Sequence, residues 1–202
     1  MKKLNLVFPM AGDGSRFSYD FKPFLKLGDK TFIEHAVEPF YKFEKHIDNV
    51  YFIFRQDQED SNGVSAYLKD NILFKSDKIK TCILPKKTPG PKKTVESLVE
   101  NENIKNAIIC DCDHKINVDK LFDSIIKTNF KEIVIPVKEI DEQQSKNWSK
   151  IVIQNDSIIS IVEKEQVDFA KYLVYGIIGC VYFPSLEDFL GCQGEYISDY
   201  IR

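Results

Sequence analysis

A short apolar run near the start of the chain constrains the fold more than any other feature. Residues 4–9 (LNLVFP) are mostly apolar and stop at a glycine cluster, AGDG. A run of this length that ends at glycines predicts a buried strand followed by a tight loop. The rest of the first half is then expected to alternate helices and strands behind this first strand.

That alternation can be followed along the sequence. Thr31 is predicted to cap a helix reaching about residue 43, because apolar residues recur at helical spacing after it and a glutamate stands at the third position. Further strands are predicted at residues 49–55, 79–84, 107–110 and 133–137, and further helices at residues 61–74, 94–102 and 119–128. The chain is therefore expected to form an α/β fold with a mainly parallel sheet covered by helices on both faces.

The pattern changes at about residue 150. Strands are predicted at residues 151–154, 157–162 and 175–183, separated by short polar turns. Such spacing favours a small antiparallel hairpin lobe.

Composition excludes several classes of partner and site. The 202 residues contain 28 Lys and Arg against 31 Asp and Glu, so no global field favours nucleic acid or an anionic membrane. No apolar run approaches about 18 residues and the first residues lack a signal-peptide core, so a cytoplasmic protein is expected. The five cysteines lack CxxC spacing and the three histidines are scattered, which indicates neither a disulfide framework nor a structural zinc site. Oligomeric state is not predicted by any of these features.

The loop after the first strand has the composition of a phosphate-binding loop. Residues 9–17 read PMAGDGSRF, and glycines let backbone N–H groups approach a polyphosphate without a Cβ clash. Arg16 adds a guanidinium that can bind two phosphate oxygens, and Lys22, held before Pro23, can aim an ammonium at the same phosphates. The Walker and dinucleotide patterns are both absent, and an ordinary turn is the alternative interpretation of the two glycines.

Two carboxylates follow the predicted strand 107–110. Asp111 and Asp113 flank Cys112, and alternation along an extended chain points both side chains the same way. Mg²⁺ prefers one or two carboxylates together with phosphate oxygens and water, so these residues form a candidate magnesium site; a loop capped by Asp is the alternative. A structural role is expected for His114, because an attacking phosphate is already anionic and needs no strong base.

The second half offers candidates for an acceptor pocket. Trp148 lies near the start of this half, Glu163 and Lys164 lie at the end of a predicted strand, and Gly176 lies at the start of the next strand. A glycine at a strand start often marks close approach of the backbone to a ligand. A core position for Trp148 and a surface ion pair for Glu163 and Lys164 are the alternatives.

Several of these motifs together resemble a known family. GDGSRF followed by KPFLKLGDK (residues 12–17 and 22–30) is similar to the GxGxR…KP signature of the sugar-phosphate nucleotidyltransferases. The resemblance continues through TPGPKKT (residues 88–94), which looks like the base-side loop, through CDCD at the metal-binding strand end, and through the EK pair at residues 163–164. Order and spacing agree over nearly the entire chain.

The resemblance implies a fold, a reaction and a set of site residues. The fold is Rossmann-like, of the nucleotide-diphospho-sugar transferase type, and the reaction moves a nucleotidyl group from a nucleoside triphosphate to a phosphorylated small molecule, with Mg²⁺ on Asp113. The implied nucleotide-binding residues are Ala11, Gly12, Asp13, Gly14, Ser15, Arg16, Gly90, Thr94 and Asp111. The implied acceptor-binding residues are Trp148, Glu163, Lys164 and Gly176, the catalytic residues are Arg16, Lys22 and Lys164, and Asp199 is the candidate for a second metal ligand.

Within that family the pattern is most similar to capsule-associated cytidylyltransferases. This favours CTP as the nucleotide and phosphoglutamine or a sugar phosphate as the acceptor, although Lys92 and Lys93 replace small residues that relatives carry in the base-side loop. We expect one catalytic domain over residues 1–202, with a nucleotide-binding half (1–140) and an acceptor-binding half (141–202). A glycosyltransferase that uses a nucleotide-sugar, which would not need GxGxR, and a noncatalytic nucleotide-sensing domain remain the alternatives.

Overall fold

The computed structural model describes residues 2–14, 20–163, 165–190 and 193–201. It contains a five-stranded sheet, a four-stranded sheet and a short two-stranded hairpin. The strands are β1 (Leu4–Pro9), β2 (Lys26–Leu27), β3 (Lys30–Thr31), β4 (Ile47–Arg55), β5 (Ile79–Leu84), β6 (Ala107–Cys110), β7 (Val137–Glu139), β8 (Ser149–Gln154), β9 (Ser157–Glu163), β10 (Leu173–Ile177) and β11 (Cys180–Phe183). The helices are α1 (Phe32–Tyr41), α2 (Gln56–Asn62), α3 (Val64–Asn71), α4 (Pro91–Asn101), α5 (Val118–Lys127) and α6 (Ile197–Ile201).

The central sheet has the strand order β11-β6-β1-β4-β5. β6, β1, β4 and β5 run parallel to one another, and β11 is antiparallel to β6, so the predicted mainly parallel sheet is confirmed. Both faces are buried: Leu6 and Phe8 pack in one apolar cluster with α1, α3 and α5, whereas Val7 packs in another with α4. Alternation of side chains along a strand explains why neighbours in β1 enter opposite cores.

The helix predicted after Thr31 begins as expected. The Thr31 hydroxyl accepts a hydrogen bond from the Glu34 amide at 3.4 Å, and the Glu34 carboxylate accepts one from the Thr31 amide at 2.8 Å. This reciprocal capping box satisfies two amides that no helical carbonyl can reach. The helix ends at Tyr41, two residues before the predicted end.

The single helix predicted over residues 61–74 is wrong. α2 begins earlier, at Gln56, and ends inside this segment at Asn62, and α3 begins after Gly63, whose φ is +59°. The Gly63 amide donates to the Glu59 carbonyl and ends α2, because a left-handed residue cannot continue a right-handed helix.

Two strand predictions also need correction. Residues 133–137 are not a strand of the central sheet: Val134 forms an isolated bridge with Tyr182, and β7 begins only at Val137 and pairs with β10. Pro136 lacks an N–H group, which interrupts pairing at this point. The predicted strand 175–183 is in fact β10 and β11, which belong to different sheets and are separated by residues 178–179.

The second sheet is fully antiparallel, with the order β7-β10-β8-β9, which confirms the predicted hairpin lobe. Its residues Ile151, Ile161 and Ile177 are buried in the apolar cluster that also contains Val7 and Val95. The two sheets therefore share a core, and the second sheet is held against one face of the first. Among the described residues, no helix is long and apolar enough to span a bilayer.

Replacing Thr31 by Ala should lower the free energy of unfolding by about 1–2 kcal/mol, because the variant loses the hydroxyl that caps α1. Thr31→Ser keeps the hydroxyl and serves as the control, so it should retain most of the stability. Urea unfolding followed by circular dichroism measures both variants. Equal losses in Thr31→Ala and Thr31→Ser would contradict the assigned role of the cap.

Candidate active site

A cleft of about 590 Å³ lies where β1 and β6 end. Its walls come from the glycine-rich loop after β1, the acidic segment after β6, the second sheet and α6. The residues used in the argument below that line it are Gly12, Gly14, Lys22, Asp111, Asp113, His114, Trp148, Glu163, Gly179 and Ser198. This is the carboxyl edge of the parallel strands, where ligands bind in α/β folds.

The glycine-rich loop reaches the cleft through Gly12 and Gly14. Gly14 has a φ of +63°, and a Cβ at this position would overlap the Asp20 carbonyl oxygen, so only glycine fits. The predicted residues Ser15 and Arg16 lie outside the described residues.

The opposite side of this loop is fixed by β4 and α2. Arg55 Nη1 donates to the Ala11 carbonyl at 2.7 Å and to Asp13 Oδ1 at 2.8 Å, and Gln58 Nε2 donates to the Gly12 carbonyl at 2.9 Å. Lys87 also pairs with Asp13, and these two cations, Lys87 foremost, lower the pKa of the Asp13 carboxyl. The Asp13 side chain thus holds the loop in place. No motif points to Arg55 or Gln58, which are marked only by their place at and after the end of a parallel strand.

Directly after β6 in the sequence, Asp111, Asp113 and His114 form a compact cluster. Ligand atoms of Asp111, Asp113 and His114 all lie within 4.8 Å of one another, and Lys22 forms an ion pair with Asp113. His114 Nδ1 lies 3.3 Å from Asp111 Oδ2 and 3.6 Å from Asp113 Oδ1, yet it is buried without an aligned hydrogen bond. The Asp111 carboxylate raises the pKa of His114. Two carboxylates beside an unsatisfied imidazole nitrogen form a donor set suited to a divalent cation.

Cys112 between the two aspartates is a core residue. Burial raises the pKa of its thiol to about 12, so it stays protonated and unreactive at neutral pH.

Gly179, at the crossing from β10 to β11, is a site residue that the sequence analysis missed. A Cβ on Gly179 would overlap the Asp111 carboxylate and the His114 ring. Its carbonyl accepts a hydrogen bond from the Asp111 amide at 2.6 Å. The acidic cluster therefore occupies space that only a glycine at position 179 leaves open.

Trp148 lines the cleft from the second sheet, near the acidic cluster. Its ring centroid is 6.4 Å from that of His114, and Lys138 Nζ lies 4.3 Å from the same ring. The space that Gly176 leaves open is taken by Trp148, because a Cβ there would overlap the indole. Gly176 thus seats the tryptophan that lines the cleft.

Lys150 fixes the backbone of this tryptophan. Its buried ammonium donates to the Trp148 carbonyl at 3.0 Å and to the Ser145 carbonyl at 2.8 Å. Burial lowers the pKa of Lys150. The sequence did not single out this lysine, because its partners are backbone carbonyls.

Glu163 joins three elements at the same wall. Its Oε2 accepts hydrogen bonds from the Ser149 hydroxyl of β8 and, at 2.9 Å, from the Ser198 hydroxyl of α6. The predicted partner Lys164 lies outside the described residues. Glu163 therefore docks α6 against the second sheet.

The predicted base-side residues Gly90 and Thr94 meet the C-terminal segment. The Thr94 hydroxyl donates to the Gly90 carbonyl at 3.2 Å, and the Lys92 amide of the same turn donates to the Glu195 carbonyl at 3.0 Å.

Asp199 organises that C-terminal segment. Its Oδ2 accepts hydrogen bonds from the Glu195 and Tyr196 amides, both at 2.9 Å. Within the part of the chain that the structure describes, Asp199 is not a member of the cluster formed by Asp111, Asp113 and His114. Its hydrogen bonds shape the segment that contacts Gly90 and Lys92.

Comparison with known proteins identifies the fold. No protein-family model and no curated protein matches the sequence. A Bacillus anthracis structure titled as a glucose-1-phosphate thymidylyltransferase in complex with sucrose superposes with a TM-score of 0.76 at 18% identity, covering 98% of this chain and 80% of that chain. The chain has a nucleotide-diphospho-sugar transferase-like fold.

Two further structures agree. A UDP-glucose pyrophosphorylase complexed with UDP-glucose gives a TM-score of 0.72 at 18% identity, with 100% of this chain and 86% of that chain covered. A nucleoside-diphosphate-sugar pyrophosphorylase from Vibrio cholerae gives 0.72 at 19% identity, with 97% and 85% covered. The expected fold class is therefore confirmed.

Replacing Gly179 by Ala should weaken divalent-cation binding roughly tenfold or more, because the added methyl displaces the Asp111 carboxylate and the His114 ring. Titration with Mn²⁺ followed by electron paramagnetic resonance measures the affinity. In an Asp111→Ala background most of this effect should vanish, since the displaced carboxylate is already gone. An unchanged Mn²⁺ affinity in Gly179→Ala would refute the prediction.

Proposed function

We propose that the protein is a nucleotidyltransferase that moves a nucleoside monophosphate from a triphosphate to a phosphorylated small molecule and releases pyrophosphate. The observation that carries the proposal is the ion pair between Lys22 and Asp113, inside the cleft that Gly12 and Gly14 also line. The Lys22 ammonium, which can bind phosphate, the glycine-rich loop and the Asp113 carboxylate, which can bind a metal ion, thus line the same cleft. A polyphosphate with a bound divalent cation is the ligand that needs all three.

The acidic cluster suits Mg²⁺. Asp111 and Asp113 supply hard oxygen donors, and His114 Nδ1 lies 3.3 Å from Asp111 Oδ2 and 3.6 Å from Asp113 Oδ1. When bound, Mg²⁺ neutralises charge on the phosphates. We assign Asp113 as its main ligand, with Asp111 beside it.

The reaction requires positioning more than proton transfer. An oxygen of the acceptor phosphate attacks the α-phosphorus, a new P–O bond forms, and the bond to the bridging oxygen breaks with its electron pair leaving on pyrophosphate. The nucleophile is already ionised at neutral pH, so no general base is needed. Lys22, Arg16 and the loop amides stabilise the departing pyrophosphate, and Trp148, Glu163 and Lys164 hold the acceptor.

We further propose CTP as the nucleotide, a cytoplasmic location, and a role in capsule or surface polysaccharide synthesis. The support is the sequence resemblance to capsule-associated cytidylyltransferases, which suggests phosphoglutamine or a sugar phosphate as the acceptor. The superposed structures include one that carries UDP-glucose, so uridine and thymidine nucleotides belong in the same assay.

An activity matrix tests the proposed function. Four nucleoside triphosphates are combined with a panel of phosphorylated sugars, amino acids and amino alcohols in the presence of Mg²⁺, and pyrophosphate is measured. We expect release that depends on both substrates and is greatest with CTP. A nucleotide-sugar glycosyltransferase would instead release a nucleoside diphosphate from a nucleotide-sugar, and a sensing domain would bind a triphosphate without turnover.

Within the active combination, Lys22→Met should lower kcat about a hundredfold, because an apolar side chain of similar length cannot neutralise the departing pyrophosphate. Lys26→Met is the matched control, since Lys26 lies on the exposed strand β2. Steady-state kinetics with pyrophosphate detection measure both. Equal kcat values in Lys22→Met and Lys26→Met would rule out the role assigned to Lys22.

A further inference from the structure

The glycine-rich loop is shaped from the side facing away from the cleft. We infer that Arg55 and Gln58 are positioning residues that set this loop in its phosphate-binding conformation. The inference rests on the proposed function and extends it to two residues that no motif indicates. Arg55 and Gln58 are not among the residues that line the cleft, so both would affect ligand binding through the loop.

Arg55 and Gln58 form hydrogen bonds with two consecutive peptide groups of the loop. Arg55 Nη1 binds the Ala11 carbonyl at 2.7 Å, and Gln58 Nε2 binds the next carbonyl, that of Gly12, at 2.9 Å. The Met10 amide donates to the Ile53 carbonyl at 2.7 Å and anchors the start of the loop to β4. Three successive residues of the loop are thus tied to one neighbouring strand and the helix that follows it.

These bonds orient the amides that matter for a phosphate. The loop peptides are trans, so each N–H points opposite to the carbonyl of the same peptide group. With the carbonyls of Ala11 and Gly12 held by Arg55 and Gln58, the amides of Gly12 and Asp13 point away from β4 and α2. The same bonds draw two carbonyl oxygens, which would repel a phosphate, away from the binding side.

Both clamping side chains are themselves held rigidly. The Asp57 carboxylate binds Arg55 Nε at 2.8 Å and Nη2 at 2.9 Å, which leaves Nη1 for the loop. Gln58 is 6% exposed, and its Oε1 accepts a hydrogen bond from the Arg55 amide at 2.8 Å. A guanidinium fork is required here, because a lysine ammonium cannot bind a carboxylate edge-on and the loop at the same time.

Gln58→Met tests the inference, because methionine keeps the volume and removes both hydrogen bonds. Gln56→Met, on the same helix, is the matched control, since Gln56 is exposed and its side chain donates to Asp60 among the residues that the structure describes. The measurements are the Kd of a nonhydrolysable CTP analogue with Mg²⁺, the KM of each substrate, and the Tm. We expect the Kd and KM of the nucleotide to rise about tenfold in Gln58→Met, with the acceptor KM changed less than twofold.

Arg55→Lys is the second variant, since it keeps the charge and loses the fork, and it should change the nucleotide Kd in the same direction. Unchanged nucleotide Kd values in folded Gln58→Met and Arg55→Lys would overturn the inference, as would equal rises in both KM values. Wild-type protein that binds no triphosphate would overturn the proposed function and this inference together. Normal wild-type turnover with insensitive variants would overturn the inference alone.

Discussion

Parallel pairing of β1 with β6 is the constraint on which the candidate site depends. Asn5, Leu6 and Val7 pair in register with Ala107, Ile108 and Ile109, so the two strands run in the same direction side by side. The glycine-rich loop and the acidic segment therefore emerge at the same edge of the sheet, about one strand spacing apart. Lys22 can reach Asp113 only because this register is fixed, and the register is fixed by apolar side chains buried on both faces.

Local pattern in the sequence was sufficient for the elements that build this edge. Apolar runs predicted β1, β5 and β6, and the Thr31 capping signal predicted the start of α1, because burial and capping depend on residues close in sequence. The chain around Pro136 and Gly179 was mispredicted, since the transfer of the chain between two sheets depends on partners far away. Gly63 was overlooked as a break because a single glycine is also tolerated inside a helix.

The same distinction holds for the candidate site. The glycine-rich loop, Lys22, Asp111 and Asp113 form local motifs, and the structure places the described members around one cleft. Arg55, Gln58, Lys150 and Gly179 support those motifs from other elements, and no spacing rule connects them. Each of them makes at least one hydrogen bond to a backbone carbonyl or amide of the segment that it supports. Almost every residue type presents these backbone groups, so the residue types in the sequence do not reveal such pairs.

A buried ion pair on α4 favours one packing of this helix over others. Lys92 is fully buried, pairs with Glu96 and lies 5.4 Å from the Phe189 ring, whereas the Lys93 side chain is 42% exposed. Of these two neighbouring lysines, Lys92 thus belongs to the core and Lys93 is partly exposed. A buried ion pair contributes little net stability, but it penalises alternative packings of α4 that would leave either charge alone.

The C-terminal segment contributes Tyr196, Ile197 and Ser198 to the cleft and contacts two other parts of the fold. The Glu195 carbonyl accepts a hydrogen bond from the Lys92 amide at the start of α4, and the Ser198 hydroxyl donates to Glu163 at the end of β9. One short segment is therefore bonded both to α4 and to the second sheet. If a ligand at one of these places shifts the segment and thereby changes the affinity for a second ligand at the other, thermodynamic linkage requires the second ligand to change the affinity for the first by the same factor.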